Sequence, residues 1–95
     1  MTDGLPDLEL LESTHQFPCP YVFKVFGTPD EHFVGRVLAA VKVTLEETAE
    51  PAFSCRSTPS GRHICVTIEP DVRDAEHVHE VYRELQKVQG LVLLM

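Results

Sequence analysis

Five histidines and three cysteines are the residues of this 95-residue chain best equipped for chemistry, and their spacing argues against it. A zinc site takes about four convergent ligands, usually with close pairs such as C-x₂-C. Cys19, Cys55 and Cys65 are far apart and odd in number, which does not suit a disulfide framework either. His77 and His79 are two apart in a helical segment, so they diverge by roughly 200° and do not chelate together. Buried cysteine acting as a small hydrophobe is the simpler reading. Nucleophilic catalysis needs a nucleophile, a base and an orienting group within reach. Ser54, Ser57, Ser60 and Thr67 lie in or beside one hairpin with His63 nearby, a mixture that hairpins contain without being catalytic. The sequence therefore predicts no catalytic residues, no metal, no cofactor and no enzyme.

Composition narrows the class further. A chain that is 43% hydrophobic and 24% charged is globular rather than disordered, and its length suits one domain. The net charge of −7 and the absence of any basic run exclude a nucleic-acid partner, which would need clustered Lys and Arg. RNA binding by a sheet also needs aromatics on its central strands, where the third strand offers only His63, Cys65 and Thr67. No stretch approaches the ~18 apolar residues of a membrane span. Residues 1–12 are acidic, unlike the basic start of a signal peptide. The expected compartment is the cytoplasm, with no membrane contact.

The elements that would position any site are legible from periodicity and punctuation. Residues 1–16 read as a flexible or loosely docked leader, in which Pro6 opens a helical turn with Leu8 and Leu11 on one side. Residues 17–95 form the domain. Phe17-Pro18-Cys19-Pro20 is extended because each proline restricts its predecessor. It feeds a first strand, Tyr21 to Phe26, with Tyr21, Phe23 and Val25 on one face and Val22, Lys24 and Phe26 on the other. Gly27 ends it. Thr28 as cap, Pro29 at the first helical position and Glu31 completing a capping box predict a helix to about Glu47. Its apolar stripe is Phe33, Val34, Val37, Leu38, Val41 and Leu45.

Phe53–Ser57 and Arg62–Glu69 read as two strands of a hairpin. Facing Phe53 and Cys55 to the same side as Ile64, Val66 and Ile68 requires an even loop, either Ser60-Gly61 or Pro59 through Arg62. That register sends Cys55 to the core and Cys65 to the opposite face. Asp71, with Asp74 three residues on, caps a second helix. Its stripe is Ala75, Val78, Tyr82 and Leu85, widened by Val81 and Val88. Gly90 reads as its C′ residue, and Leu91–Met95 as a last strand. The order is β-α-β-β-α-β. The fold class is therefore α+β, a ferredoxin-like βαββαβ sandwich whose four-stranded antiparallel sheet carries two helices on one face.

Phe17-Pro18-Cys19-Pro20-Tyr21-Val22-Phe23-Lys24-Val25-Phe26-Gly27 resembles the "FPxPFxYKVMG" opening of the YbeD-like family of small bacterial proteins. Ser57 to Ile68 is similar to that family's "SSKGxYxSVxI" hairpin, and Val81-Tyr82-Arg83-Glu84-Leu85 to its "LYxEL" helix. The resemblance spans roughly residues 8–95 and implies an ACT-like regulatory fold with no established activity. Phe26 and Cys65 stand where the pattern has Met and Ser.

In ACT-like domains the turn after the first strand often helps to hold a small amino acid. Here Gly27, Thr28 and Asp30 occupy it, with free N–H groups at the helix start. Asp30 and Glu31 in the same turn would repel a carboxylate. The sheet face away from the helices carries Val22, Lys24, Phe26, His63, Cys65 and Thr67, more apolar than a wetted face requires. It is either an interface or covered by Leu8, Leu10 and Leu11 of the leader. These features predict a non-enzymatic regulatory or protein-interaction module, acting through a protein partner or a homodimer contact on the open face. The alternative is a small-molecule (amino-acid-type) sensor using the Gly27 turn.

Overall fold

Phe23 and Val25 are fully buried while Lys24 between them is exposed, so the central strand has one dry face and one open face. The computed structural model describes residues 5–45 and 50–95. Its elements in chain order are α1 (Leu8–Thr14), β1 (Cys19–Pro20), β2 (Phe23–Gly27), α2 (Phe33–Val43), β3 (Ala52–Ser57), β4 (Ile64–Glu69), β5 (Asp71–Val72), α3 (Ala75–Gln86) and β6 (Leu91–Leu94). The architecture is α+β. The main sheet has the order β3-β4-β2-β6 with every neighbouring pair antiparallel, and β1 pairs with β5 in a separate two-stranded ribbon. Residues α2 Phe33, Val37 and Val41 and α3 Val78, Val81, Tyr82 and Leu85 close over Phe23, Val25, Val66 and Ile68 to make one core. Tyr82 packs edge-on against Phe23, with ring centroids 4.9 Å apart. Burial, and then the neighbouring Tyr21, raise the Tyr82 phenol above its usual range.

The hairpin uses the longer of the two even loops. Thr58 N–H donates to His63 O at 2.9 Å and Gly61 N–H to Thr58 O at 2.9 Å, leaving Pro59–Arg62 as the turn. Phe53 and Cys55 then pair with Ile68 and Val66 on the helix side, the register expected. Their burial is not as expected. Every residue of β3 is exposed, Cys55 included, whereas Cys65 on the opposite face is buried. An edge strand has a neighbour on one side only, and the helix layer ends before it reaches β3. Cys65 sits on a central strand and is shielded by its neighbours.

Both helix starts differ from expectation by a few residues. Helix α2 begins at Phe33 rather than Pro29, and His32 provides no side-chain cap. Asp30 organises the turn instead, its carboxylate accepting from His32 N–H at 2.8 Å and from Thr28 Oγ1 at 3.3 Å. Glu31 only meets the exposed ring of His32. The helix ends at Val43, and the predicted extension to Glu47 lies partly outside the described residues. Helix α3 is capped by Asp74, which accepts from His77 N–H at 2.8 Å. Asp71 is taken by the β1–β5 pairing, so it cannot serve as the cap. Gly90 lies beyond the helix end, with φ of 93° in the turn into β6, where Gly is the residue that enters this region without strain.

Of the leader, residues 5–16 are described, and they pack on α3 rather than on the sheet's open face. Asp7 caps α1 by accepting from Glu9 N–H at 2.8 Å, and Leu5 and Leu11 join the main core. The ring Nε2 of His79, on α3, bonds to the Pro6 carbonyl. Leu11 is 3% exposed and Leu10 is 58% exposed. Leu11→Ala is therefore expected to cost about 2–4 kcal/mol of folding free energy in urea titration. Leu10→Ala should cost no more than about 0.5 kcal/mol.

Candidate functional site

The alternation that buries Phe23 and Val25 aligns the opposite side chains in rows across the open face. One row runs Arg56, Cys65, Phe26, Leu93 and the next runs Ser54, Thr67, Lys24, Met95. Leu93 and Met95 are 50% and 59% exposed beside half-buried Phe26. The β2–β6 side of this face thus carries Phe26, Leu93 and Met95 with Lys24 among them, and the β3–β4 side is polar. Val22 precedes β2 and is also exposed, and His63 lies at the hairpin end next to Thr58. Of the residues singled out in sequence, Lys24, Phe26, Cys65 and Thr67 share the face by register. Cys65 adds little accessible surface, because it is 3% exposed.

Charge is segregated between the layers. Asp7, Glu9, Glu12, Glu76, Glu80 and Glu84 lie on α1, its cap and α3. The open face carries Lys24 and Arg56 against Glu69. Among the described residues, Arg36, Lys42, Arg73 and Lys87 are held in ion pairs, whereas Lys24, Arg56, Arg62 and, on α3, Arg83 hold none.

The β2–α2 turn is tightly filled. A Cβ on Gly27 would lie 2.1 Å from the Phe33 ring, so that ring occupies the space above the glycine. Asp30 binds Arg36 at 2.7 Å, and Arg36 Nε donates to Gln89 O at 3.1 Å, tying the turn to the end of α3. The Arg36 guanidinium first, and His32 N–H second, hold the Asp30 carboxyl down at about 2. Gly27, Thr28 and Asp30 are brought together, with Thr28 N–H donating to Gly90 O at 3.0 Å. Because Phe33 has no room to yield, Gly27→Ala is expected to lower stability by about 1–3 kcal/mol, measured by chemical denaturation.

The larger cleft lies at the other end of the sheet, where β3 begins and β4 ends. It measures about 410 Å³ and is lined by Pro18, Pro51, Pro70, Glu69, Asp71 and Arg73, with His77 at its base. Sequence reading missed it, although three prolines at strand boundaries were a usable signal. His77 is 1% exposed and both ring nitrogens are engaged. Nδ1 accepts from Arg73 N–H at 3.0 Å, so Nε2 carries the proton and donates to Thr44 Oγ1 at 3.2 Å. Thr44 in turn donates to Val41 O at 2.9 Å. A smaller cleft between α1 and α3 is lined by Leu8, Glu76, His79, Glu80 and Arg83. Among the described residues no group of three or more His, Cys, Asp or Glu side chains converges on a metal-sized space. No described helix is long and apolar enough to cross a membrane.

Burial is the main cause that pushes the His77 pKa down, with Arg73 adding to it and Glu80 and Asp74 opposing. The unfolded chain then binds a proton that the folded chain refuses, so stability falls as pH drops below the ordinary value of 6.5. Thermal unfolding followed from about pH 7.5 to about pH 5.5 should show a falling Tm. His77→Gln should show a shallower decline.

These features define a small α+β domain built on an antiparallel four-stranded sheet with one bare face. The chain belongs to the family described as "Protein of unknown function (DUF493)", whose model matches residues 12–95. This is the family of the YbeD-like proteins that its opening motif resembles. A UPF0250 protein of Shewanella oneidensis is 30% identical over 76 residues, covering 80% of this chain and 84% of the relative. A UPF0250 protein of Shewanella putrefaciens is 29% identical over 75 residues, covering 79% and 83%. The solution structure of protein HP0495 from H. pylori superimposes with a TM-score of 0.62 at 15% identity, covering 86% of each chain, which makes the fold a shared one.

Proposed function

We propose that this chain is a non-enzymatic interaction module with an ACT-like, ferredoxin-like plait, and that it acts by docking a protein partner on the open face of its sheet. The observation that carries this reading is the patch of half-buried Phe26 with exposed Leu93 and Met95, spread over two adjacent rows that also hold Lys24 and Arg56, neither of them in an ion pair. Exposed apolar surface rimmed by polar groups is characteristic of protein interfaces. The described part of the leader packs on α3 and leaves this face open. A partner segment that is apolar at its centre and acidic at one margin would match both halves of the face. It would meet the cations on the side where the acidic helix layer does not repel it.

The alternative is a small-molecule (amino-acid-type) sensor using Gly27, Thr28 and Asp30. It has weaker support, because Phe33 fills the space over Gly27 and neither cleft described above includes these residues.

The test is an affinity capture with the full chain as bait, comparing wild type with Phe26→Asp and Leu93→Asp. Both sites face solvent in part, and each variant's fold is checked by circular dichroism before capture is compared. The expected result is loss of a specific bound protein with both variants and its retention with the α3 surface variant Glu76→Gln. Equal capture by all four baits would reject the open face as the docking site. A thermal-shift screen against amino acids should be flat on the same reading.

A further inference from the structure

We propose that β3 pairs with β3 of a second copy of this chain, antiparallel about a two-fold axis through Cys55, to join two four-stranded sheets into one of eight. All six residues of β3 are exposed, and β3 ends the sheet order with nothing paired to its outer edge among the described residues. Edge strands are usually blunted by prolines, lysines, bulges or a covering segment. Residues 52–57 contain no proline and no lysine, and the pairing with β4 runs without a register shift.

The backbone specifies which groups are free. Thr58 N–H donates to His63 O, so Thr58, Arg56, Ser54 and Ala52 point their backbone groups towards β4. Phe53, Cys55 and Ser57 point theirs outward. The next outward positions on either side are Pro51 and Pro59, which have no N–H to donate. One antiparallel register uses every available group. It sets Cys55 opposite its own mate and Phe53 opposite Ser57 of the second copy, forming six N–H···O bonds. Pro51 then falls opposite Pro59 at both ends. Shifting by two residues in either direction brings a proline opposite an N–H-bearing residue and loses bonds.

Side chains agree with this register. Phe53, Cys55 and Ser57 share the helix side and carry no charge, and Phe53 is left 44% exposed within one chain. Cross-strand and diagonal neighbours from the second copy would cover its ring. The strand's only charge is Arg56, which falls opposite Ser54 rather than its own mate. Two chains of net charge −7 repel least along a strand whose single charge is positive.

The test starts with sedimentation equilibrium of the full chain in reductant, from about 10 μM to about 1 mM, where a contact of this size associates. The mean mass should rise from 10.7 kDa towards twice that value. Cys55→Pro removes an N–H that β4 does not use, and should weaken the association by about tenfold or more while the circular dichroism spectrum is kept. A second measurement does not depend on that variant folding. In the proposed register the two Cys55 Cα atoms lie about 5.5 Å apart, within disulfide reach. Diamide, which takes two electrons and two protons from the two thiols, should then trap a Cys55–Cys55 dimer. Ser54→Cys in a Cys55→Ser background, also exposed but on the other face and out of register, should cross-link about tenfold more slowly or less. A mass that stays at the monomer value throughout, or cross-linking at equal rates from positions 54 and 55, would overturn the proposal. So would a dimer unaffected by a folded Cys55→Pro chain.

Discussion

Phe23 and Val25 can be dry only if two helices lie on one side of β2 and strands flank it on both edges, and this requirement organises the whole molecule. The two residues pair with Ile68 and Val66, which are equally buried, so β2 and β4 together form the floor of the core. Phe33 starts α2 directly above Gly27 because the glycine leaves room for its ring. Tyr82, Val78 and Val81 bring α3 down over the same floor. The period of two along β2 then forces Lys24 and Phe26 to the far side. The bare face is thus a geometric consequence of the core, and the described residues leave it uncovered.

The helix layer is narrower in effect than the sheet. It dries β2 and β4, leaves parts of β6 exposed and does not reach β3. The exposed edge and the exposed face are therefore separate features with separate chemistries. The edge offers unpaired backbone groups and an uncharged line of side chains. The face offers Phe26, Leu93 and Met95 around Lys24 on its β2–β6 side, and Arg56 with Glu69 on its β3–β4 side.

Charge segregation follows the same layering. Acidic residues collect on α1 and α3, where the first-turn residues Glu9 and Glu76 also meet the positive ends of their helices. Arg36, Lys87 and Arg73 are drawn into ion pairs on the helix side. Of the cations that remain, Lys24 and Arg56 lie on the sheet and Arg62 on the hairpin turn, while Arg83 stays on α3. The net negative charge visible in the sequence is thus unevenly spread, with most of the acidic side chains named here on the helix layer.

The order of the four main-sheet strands with α2 and α3, the apolar stripes of those helices and the parity of the hairpin were determined by local pattern, because periods of two and 3.6 are written in consecutive residues, whereas the β1–β5 ribbon was not. The parity also set which side Cys55 and Cys65 face. It did not set their burial, which depends on how far the helices extend over an edge strand and on the cover that neighbouring strands provide. The helix starts were misplaced for a similar reason. Thr28 and Asp71 are competent caps in isolation, but Asp30 gains Arg36 on the first turns of α2 as a partner, and Asp71 is claimed by a non-local pairing with Pro20. The docking of α1 on α3, the buried pair of histidines and the proline-lined cleft were decided only in three dimensions. Each depends on surfaces more than twenty residues apart in the chain meeting, and no local spacing encodes such a meeting.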